Sequence, residues 1–553
     1  MKKTGLLILL SLYLFSCKKN NTSKPPVLPP FKILGQAVNG VTGATDTYFN
    51  VNKIPLVKFS FAGGAIDQST VSGNVSFSDN NGTNLPVNYS YENDSTLDVQ
   101  PLSALKVLSK YKVQVSTGLK SKQGASLQNG ISLALVTAID SSDKFPRISD
   151  SALLTLVQQQ TFKYFWDFGH PVSGLARERN SSADVVTTGG SGFGVMSVLV
   201  GIQRNFISRT DGLARINQIV SFLTGKAQRY HGAFPHWLNG STGVTVPFST
   251  QDDGADLVET AYMMQGLLSA RQYFTSTTDS NETNLRNNIN VIWNGVDWNW
   301  FRQNAQNTLY WHWSPDFNWS GNQQISGWNE ALITYVLAAS ANFDSIPKAV
   351  YDNGWARNGN IKNGNLFYGI QLPLGPNLGG PLFFAHYSFL GINPNNLSDA
   401  YANYWTQNVA HSKINFSYCV ANPGHFNGYS NLCWGLTASD EENGYSAHAP
   451  DNDDGVISPA AAISSLPYTP TESLNALRFF YYTLGDRIWG QYGFVDAFNL
   501  SSLWFANSFL AIDQGPQIVM IENYRSGLLW NLFLSCPEIK RGMTNLGFQS
   551  PNL

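Results

Sequence analysis

Residues 251–274 read QDDGADLVETAYMMQGLLSARQYF. Met263, Leu267 and Leu268 recur at helical spacing, so the stretch is an apolar-rich helix, yet its first turns carry Asp252, Asp253, Asp256 and Glu259. Acids in a first turn interact favourably with the helix dipole and cap free amides, a sufficient reason for Asp252 and Asp253. Asp256 and Glu259 lie further in, flanked by Leu257, Val258 and Ala261, where carboxylates are costly unless used or paired. Three residues apart, they share one helix face. Paired carboxyls are what glycoside hydrolysis requires, one protonated to release the leaving oxygen and one ionised to activate water or attack.

The same pattern extends outward. Helical runs at 192–206, 328–341, 397–408, 471–484 and 517–534 alternate with Gly-, Pro- and Asn-rich loops loaded with aromatics. A further helix starts with Asp150 as its expected N-cap and carries Leu153, Leu154, Val157, Tyr164, Phe165 and Phe168 on one side. Paired helices with aromatic loops over 150–553 predict an all-α (α/α)6 toroid.

Ahead of it, all signals are β. The runs 56–61, 74–78, 88–92 and 112–116, with turns at Asn80-Asn81-Gly82 and 121–124, predict a small antiparallel sandwich over 31–138, joined by a linker at 139–149. The stretch PLSALKVLSKYKVQVSTGLKSKQG within it resembles bacterial Ig-like modules. Composition marks the same division, because all 15 Trp lie at or after Trp166. Lys plus Arg against Asp plus Glu is 13 to 8 over 18–148 and 20 to 29 over 149–553, so the larger module is a poor partner for nucleic acid or an anionic polymer.

MKKTGLLILLSLYLFSC at the start has two Lys, a short apolar run and a small residue before Cys17. That is an export signal rather than a spanning helix, and LFSC resembles a lipobox, so residues 1–17 are expected to leave Cys17 lipidated. Residues 18–30 then form a Pro-rich tether. An outer-membrane lipoprotein follows, facing the periplasm in preference to the cell surface, with membrane contact only through the anchor. Cys419, Cys433 and Cys536 remain, and spacing alone leaves open whether Cys419 and Cys433 pair.

Around the acids stand HGAFPHWLNG (231–240), LYWHWSPDFNW (309–319) and SGWNEALITYV (326–336). In the last, Glu330 begins a helix just after Trp328, a third candidate acid with the same ambiguity between dipole and catalysis. Aromatic faces stack on pyranose C–H bonds while amides and carboxylates take hydroxyls, so these loops have the composition of a sugar cleft. GGSGFG (189–194) lacks dinucleotide-binding spacing and reads as a tight turn into a helix. DNDDG (451–455) is a fragment of a calcium loop without its alternation or closing Glu, so no metal is expected.

TFKYFWDFGHPVSGLARERN (161–180), HGAFPHW, DDGADLVETAYMMQGLL, GWNEALITYVLAAS, GGPLFFAHYSFLG (379–391), CWGLTASD (433–440) and AIDQGPQIVMIENYRSGLLW (511–530) together resemble the glucoamylase-like domain of glycoside hydrolase family 144. The resemblance covers about 150–550 and implies a toroid, a β-1,2-linked glucan substrate, no cofactor and inversion at the anomeric carbon. Asp256, Glu259 and Glu330 match the acidic positions treated as catalytic candidates. His236, Trp237, Trp311, Trp313, Trp328, His386 and Tyr387 are the substrate-binding candidates. The expected activity is hydrolysis of β-1,2-glucan to sophorose or sophoro-oligosaccharides. Its rivals are a β-1,2-glucan transglycosylase, which would conserve bond number, and a non-catalytic glycan-binding lipoprotein, which would lack the acids. A uronate lyase sharing the toroid is disfavoured by the module's net negative charge.

Overall fold

The computed structural model describes residues 27–43 and 45–553; the export signal, Cys17 and most of the tether lie outside them. The chain divides into two compact units, residues 1–138 and 139–553. Among the described residues no helix is long and apolar enough to cross a membrane.

The first unit is a sandwich of two four-stranded sheets. β1 (Lys32–Val38), β3 (Val57–Ala62), β6 (Thr96–Pro101) and β5 (Val87–Asn93) form one, in the order β1-β3-β6-β5. β2 (Thr47–Val51), β8 (Ile131–Thr137), β7 (Lys110–Val115) and β4 (Val75–Asp79) form the other, in the order β2-β8-β7-β4. Alternation puts Phe59, Val99, Val113 and Leu133 in the shared core, all fully buried. The expectation of a purely antiparallel sandwich is corrected at one edge, where β2 pairs with β8 in parallel.

The second unit has two helical layers. α2 (Thr188–Gln203), α4 (Leu257–Tyr273), α6 (Leu332–Ser340), α8 (Pro459–Ser464) and α10 (Ala511–Ser526) are buried almost all round, which places them inside. They pack in the sequence α8, α10, α2, α4, α6. Outside them lie α1 (Asp150–Trp166) against α10 and α2, α3 (Arg209–Gly225) against α2, and α5 (Ser280–Asn294) against α4. Three more partners complete the packing. α9 (Pro470–Arg478) covers α8, α11 (Leu528–Leu534) covers α4 and α10, and α12 (Pro537–Leu546) covers α6.

Several boundaries differ from the sequence expectation, each for a local reason. Asp150 is not the N-cap of α1. Ser149 is, accepting from the Ala152 amide at 3.2 Å, while Asp150 pairs with Arg478. The expected helix at 397–408 is instead α7 (Tyr404–Ala421), because Asp399 turns the chain by accepting from the Tyr401 and Ala402 amides and Asn403 then caps. The run 517–534 is two helices, starting earlier at Ala511 and broken at Gly527, whose φ of +68° is left-handed. Within the linker segment 139–149 the Lys144 amide donates to the Tyr482 carbonyl and Phe145 stacks on Tyr481. Cys419, Cys433 and Cys536 are buried free thiols.

The largest correction concerns GGSGFG. Residues 189–194 are no turn but the first half of α2, even though glycine is costly inside a helix. Packing explains it. A Cβ on Gly192 would meet the Tyr262 carbonyl oxygen at 2.2 Å and Met263 Cα at 2.6 Å, and one on Gly266 would meet the Gly192 carbonyl oxygen at 2.2 Å. α2 and α4 therefore touch backbone to backbone. Replacing Gly192 by Ala is expected to destabilise the protein by about 1–3 kcal/mol or more from overpacking, outweighing a helix-propensity gain of about 0.5–1 kcal/mol. Gly225→Ala, at the end of α3 with nothing near its Cβ, serves as the control. A thermal melt in which Gly192→Ala matches the Gly225→Ala control would contradict this account of the α2–α4 contact.

Candidate active site

α4 begins at a short bridge in which Ala255 and Asp256 pair with Trp313 and His312. Asp256 is extended at φ −120°, ψ 109°, so it is the N-cap: its Oδ1 accepts from the Val258 and Glu259 amides at 3.0 and 2.9 Å. Its other oxygen, Oδ2, lies 3.1 Å from His236 Nδ1 and 3.3 Å from His312 Nε2. Asp252 Oδ2 lies 3.5 Å from His236 Nδ1 and 3.3 Å from His312 Nε2. This corrects the division drawn from sequence. Asp256 caps the helix, and Asp252 joins it in a buried cluster of two carboxylates between two imidazoles.

Burial alone would push the Asp256 carboxyl upward, but the hydrogen bonds and charges of His236 and His312 outweigh that and hold it below the ordinary carboxylate range. Both imidazoles move the other way. Burial opposes their charge, yet Glu259, Asp252 and Asp256 raise His236, and Asp256 and Asp252 raise His312. His236, Asp252 and Asp256 are close enough to hold a cation between them, with His312 alongside.

Glu259 is a different kind of acid. It is 7 % exposed, and its Oε2 accepts from the Gly189 amide at 2.6 Å and the Thr187 hydroxyl at 3.3 Å. Burial pushes it up to about 7; His236 pulls it down, and the neighbouring Asp256 and Asp252 push it further up. Glu330 lies half-buried in the turn before α6, which starts at Leu332 rather than at Glu330 as the sequence predicts. Its carbonyl accepts from the Ser388 and Tyr262 hydroxyls. Burial takes the Glu330 carboxyl to about 7 as well; its own amide opposes the shift, while Asp256 and Glu259 add to it.

Of the aromatic candidates, the structure brings part of the set to these acids. His236 stacks on Phe248, and Trp237 meets the same ring edge-on. Trp311 and Trp313 flank His312, all three half-buried. Tyr387 packs edge-on against Tyr262 and is 5 % exposed. Two candidates are corrected. Trp328 is core, set among Trp355, Phe389, Tyr404 and His411, with its indole N–H on His411 Nδ1 at 3.4 Å. His386 is 2 % exposed and bonded to the Ser465 hydroxyl at 3.0 Å, and burial, with His411 nearby, lowers it to about 3, so it stays neutral.

The sequence reading missed a second acidic group. Asp440, Asp496 and Asp513 are buried together: the Asp440 amide donates to Asp496 Oδ2 at 2.6 Å, and Asp440 also takes Arg179 Nη1 at 3.1 Å and the Ser508 hydroxyl. Burial and the Asp440 charge push Asp496 up to about 7, and burial and Asp496 push Asp513 well above the ordinary range. Asp513 also acts on Tyr387, which in turn feels Tyr262 and Glu330, so Tyr387 stands within the field of both acidic groups. The signal was present, since Asp513 in AIDQGP is an acid at the start of an apolar helix just as Asp256 is.

The protein-family model described as "Putative glucoamylase" matches residues 322–537, and a bacterial Ig-like domain model matches 37–137. An exo β-1,2-glucooligosaccharide sophorohydrolase (non-reducing end) of Parabacteroides distasonis is 44% identical over 421 residues, or 72% of this chain and 58% of that protein. The chain thus spans a little over half the length of that curated relative. An endo-β-1,2-glucanase from Chitinophaga pinensis, solved with sophorotriose and glucose, is 51% identical with a TM-score of 0.72, covering 74% of this chain and 100% of its own. A β-1,2-glucanase from Parabacteroides distasonis is 36% identical with a TM-score of 0.70, covering 95% of this chain and 74% of its own. The chain belongs to this glucoamylase-like family, glycoside hydrolase family 144, and carries an N-terminal bacterial Ig-like module.

The buried cluster generates a stability prediction. Asn at 256 keeps a capping oxygen but removes the charge between two imidazoles, so Asp256→Asn is expected to cost about 3–5 kcal/mol, the usual penalty for breaking a buried pair. The depressed Asp256 contributes stability above about pH 3.9, lost as pH falls further, while the raised His236 and His312 contribute below about pH 6.5, lost as pH rises through their folded values. Denaturant unfolding of Asp256→Asn against pH should therefore lose both flanks of the wild-type profile; an unchanged profile would contradict the cluster's charge state.

Proposed function

We propose that the protein hydrolyses β-1,2-glucan to sophorose or sophoro-oligosaccharides, with inversion at the anomeric carbon, in a cleft at one end of a closed (α/α)6 toroid built from the two helical layers. The observation that carries this reading is the pair Glu259 and Glu330, one buried and one half-buried, both raised to about 7 beside a third acid held ionised. Environments that push neighbouring carboxyls away from their ordinary values are what acid/base chemistry at neutral pH needs. The relatives that act on β-1,2-glucan and β-1,2-glucooligosaccharides support the substrate.

The roles divide by surroundings. Glu330 is the more exposed, with only its own amide favouring its charge, so it serves as the acid that protonates the leaving oxygen. Glu259 has the Gly189 amide, the Thr187 hydroxyl and nearby His236 stabilising its anion, so it serves as the base that takes a proton from water. Trp237, Trp311 and Trp313 supply faces for the sugar rings. Asp252 Oδ1, buried without a protein hydrogen-bond partner, accepts a sugar hydroxyl. An N-terminal lipid anchor at Cys17 holding the enzyme to the outer membrane, on its periplasmic side, completes the proposal.

Product analysis on linear β-1,2-glucan against β-1,3-, β-1,4- and α-1,4-glucans tests the substrate. New reducing ends from the β-1,2 polymer alone are expected, and cleavage only of another linkage would overturn the reading. Glu259→Gln and Glu330→Gln should each keep the wild-type melting profile and lose about 10²–10⁴-fold in kcat/KM. Because the acid must be protonated and the base ionised, kcat/KM should fall on both sides of about pH 7. Residual activity of Glu330→Gln should lose the alkaline fall and keep the acidic one; retention of the alkaline fall would assign the acid elsewhere.

A further inference from the structure

The DNDDG stretch contributes to a second cluster, outside the acids described above. Ala438–Glu441 and Gly444–Ala447 form a hairpin, with Asp440 opposite Tyr445 and Glu441 opposite Gly444. The chain then folds back: Ala449 and Asn452 exchange backbone hydrogen bonds, and the Asn452 amide side chain donates to the Ala447 carbonyl and the Ser446 hydroxyl. This turn brings Asp454 against His448. Asp453, the neighbouring acid, is committed elsewhere, its Oδ1 accepting from the Tyr429 hydroxyl and the Gly455 amide.

His448 is 1 % exposed and lies between two carboxylates. Its Nδ1 is 3.2 Å from Asp454 Oδ1, a contact that favours the ring proton on Nδ1 and leaves the Nε2 lone pair toward Glu441. Nε2 is buried and has no hydrogen-bond partner. It faces Glu441 Oε2 at 4.0 Å, beyond hydrogen-bond reach. The buried, unpartnered Nε2 thus faces an oxygen of the half-buried Glu441 carboxylate, and two acceptors so placed repel. A metal ion bonded to both atoms at about 2.0–2.2 Å would join them with a small inward shift of the half-buried Glu441 side chain.

We propose that Glu441, His448 and Asp454 form a site for a first-row divalent transition-metal cation, bound directly by His448 Nε2 and Glu441, with Asp454 orienting the imidazole. A buried imidazole donor selects this class over calcium and magnesium, which prefer all-oxygen shells. The three side chains offer ligand atoms within 4.8 Å of one another. The cation joins one strand of the hairpin to the segment beyond the other. It thereby steadies the strand whose Asp440 holds Arg179 and whose partner residue Tyr445 lies within the field of Asp513. The ion is structural, and the acid/base roles of Glu259 and Glu330 do not depend on it.

Zinc is the probe. The full chain, stripped with a chelator and dialysed, is titrated calorimetrically with zinc in the presence of excess calcium and magnesium. The expected result is one equivalent that neither competitor displaces. Glu441→Gln and Asp454→Asn, at half-buried and exposed positions, should each weaken that equivalent about 10–100-fold while leaving the metal-free melting temperature unchanged. X-ray absorption of the zinc form should show nitrogen as well as oxygen donors. Absence of zinc binding by the wild type, undiminished binding by both variants, displacement by calcium, or an all-oxygen shell would each overturn the proposal. Undiminished binding in both variants would place the zinc at His236, Asp252 and Asp256 instead.

Discussion

The backbone contact between α2 and α4 is the constraint on which the site depends. Gly192 and Gly266 let the two inner helices approach until a Cβ on either would overlap the other's main chain. At that separation the Gly189 amide, one helical turn before Gly192, reaches Glu259 Oε2 at 2.6 Å. A side chain at Gly189 would strike the same oxygen. The Gly189 amide at the start of α2 is therefore aimed at a carboxylate on α4, where a helix N-terminus favours negative charge. The glycines that weaken α2 as an isolated helix are what put a donor against the buried acid.

That arrangement favours the Glu259 anion, but its burial and then the acids beside it weigh against the charge. Asp256 is fixed as an anion by its two amides, His236 and His312. Burial is the larger cause of the rise at Glu259, and once the Asp256 charge is permanent a second carboxylate three residues along the same helix ionises less readily still. The cluster that anchors the start of α4 thus also leaves Glu259 near neutrality. Glu330 reaches a similar value from the start of α6, and Asp496 and Asp513 follow the same rule, with Asp513 at the start of α10. Acids gathered where inner helices begin are held by dipoles, but burial outweighs the dipole except where imidazoles bond the carboxylate directly, as His236 and His312 do at Asp256.

Much of this was legible in the sequence, and the failures have definite causes. The helices over 255–274 and 328–341 were visible because a 3.6-residue apolar period survives even when the helix is buried all round. The acids 256, 259 and 330 stood out because carboxylates in apolar surroundings carry a cost that something must offset. GGSGFG was misread because propensity describes an isolated helix, while these glycines answer to a neighbour some 70 residues away. Capping was assigned to Asp252 and Asp253 rather than Asp256 because a cap is defined by backbone angles, which spacing does not reveal. Trp328 and His386 resembled cleft residues in composition, but no composition separates a buried indole from a stacking platform. Arg179, Asp440, Asp496 and Asp513 come from separate stretches, so no local motif contains the group.

The net negative charge of the larger module takes on a specific meaning from where its acids lie. In the scaffold they are matched by arginine: Glu522 takes Arg204 at 2.7 Å, Glu282 takes Arg209 at 2.8 Å, and Glu538 takes Arg271. Near the candidate site arginine is scarce, and Asp440 with Arg179 is the exception. Unpaired buried acids there have two ways to avoid the cost of an isolated charge, to accept an imidazole or to keep a proton. Asp256 follows the first, Glu330, Asp496 and Asp513 follow the second, and Glu259, raised by burial yet favoured as an anion by His236 and the Gly189 amide, stands between them. Acids raised toward neutrality offer hydroxyl donors and acceptors rather than a field of charge. An uncharged polyhydroxylated chain suits that lining, whereas an anionic polymer would meet Asp256 ionised and would itself press the remaining carboxyls to stay protonated, removing the base that hydrolysis needs.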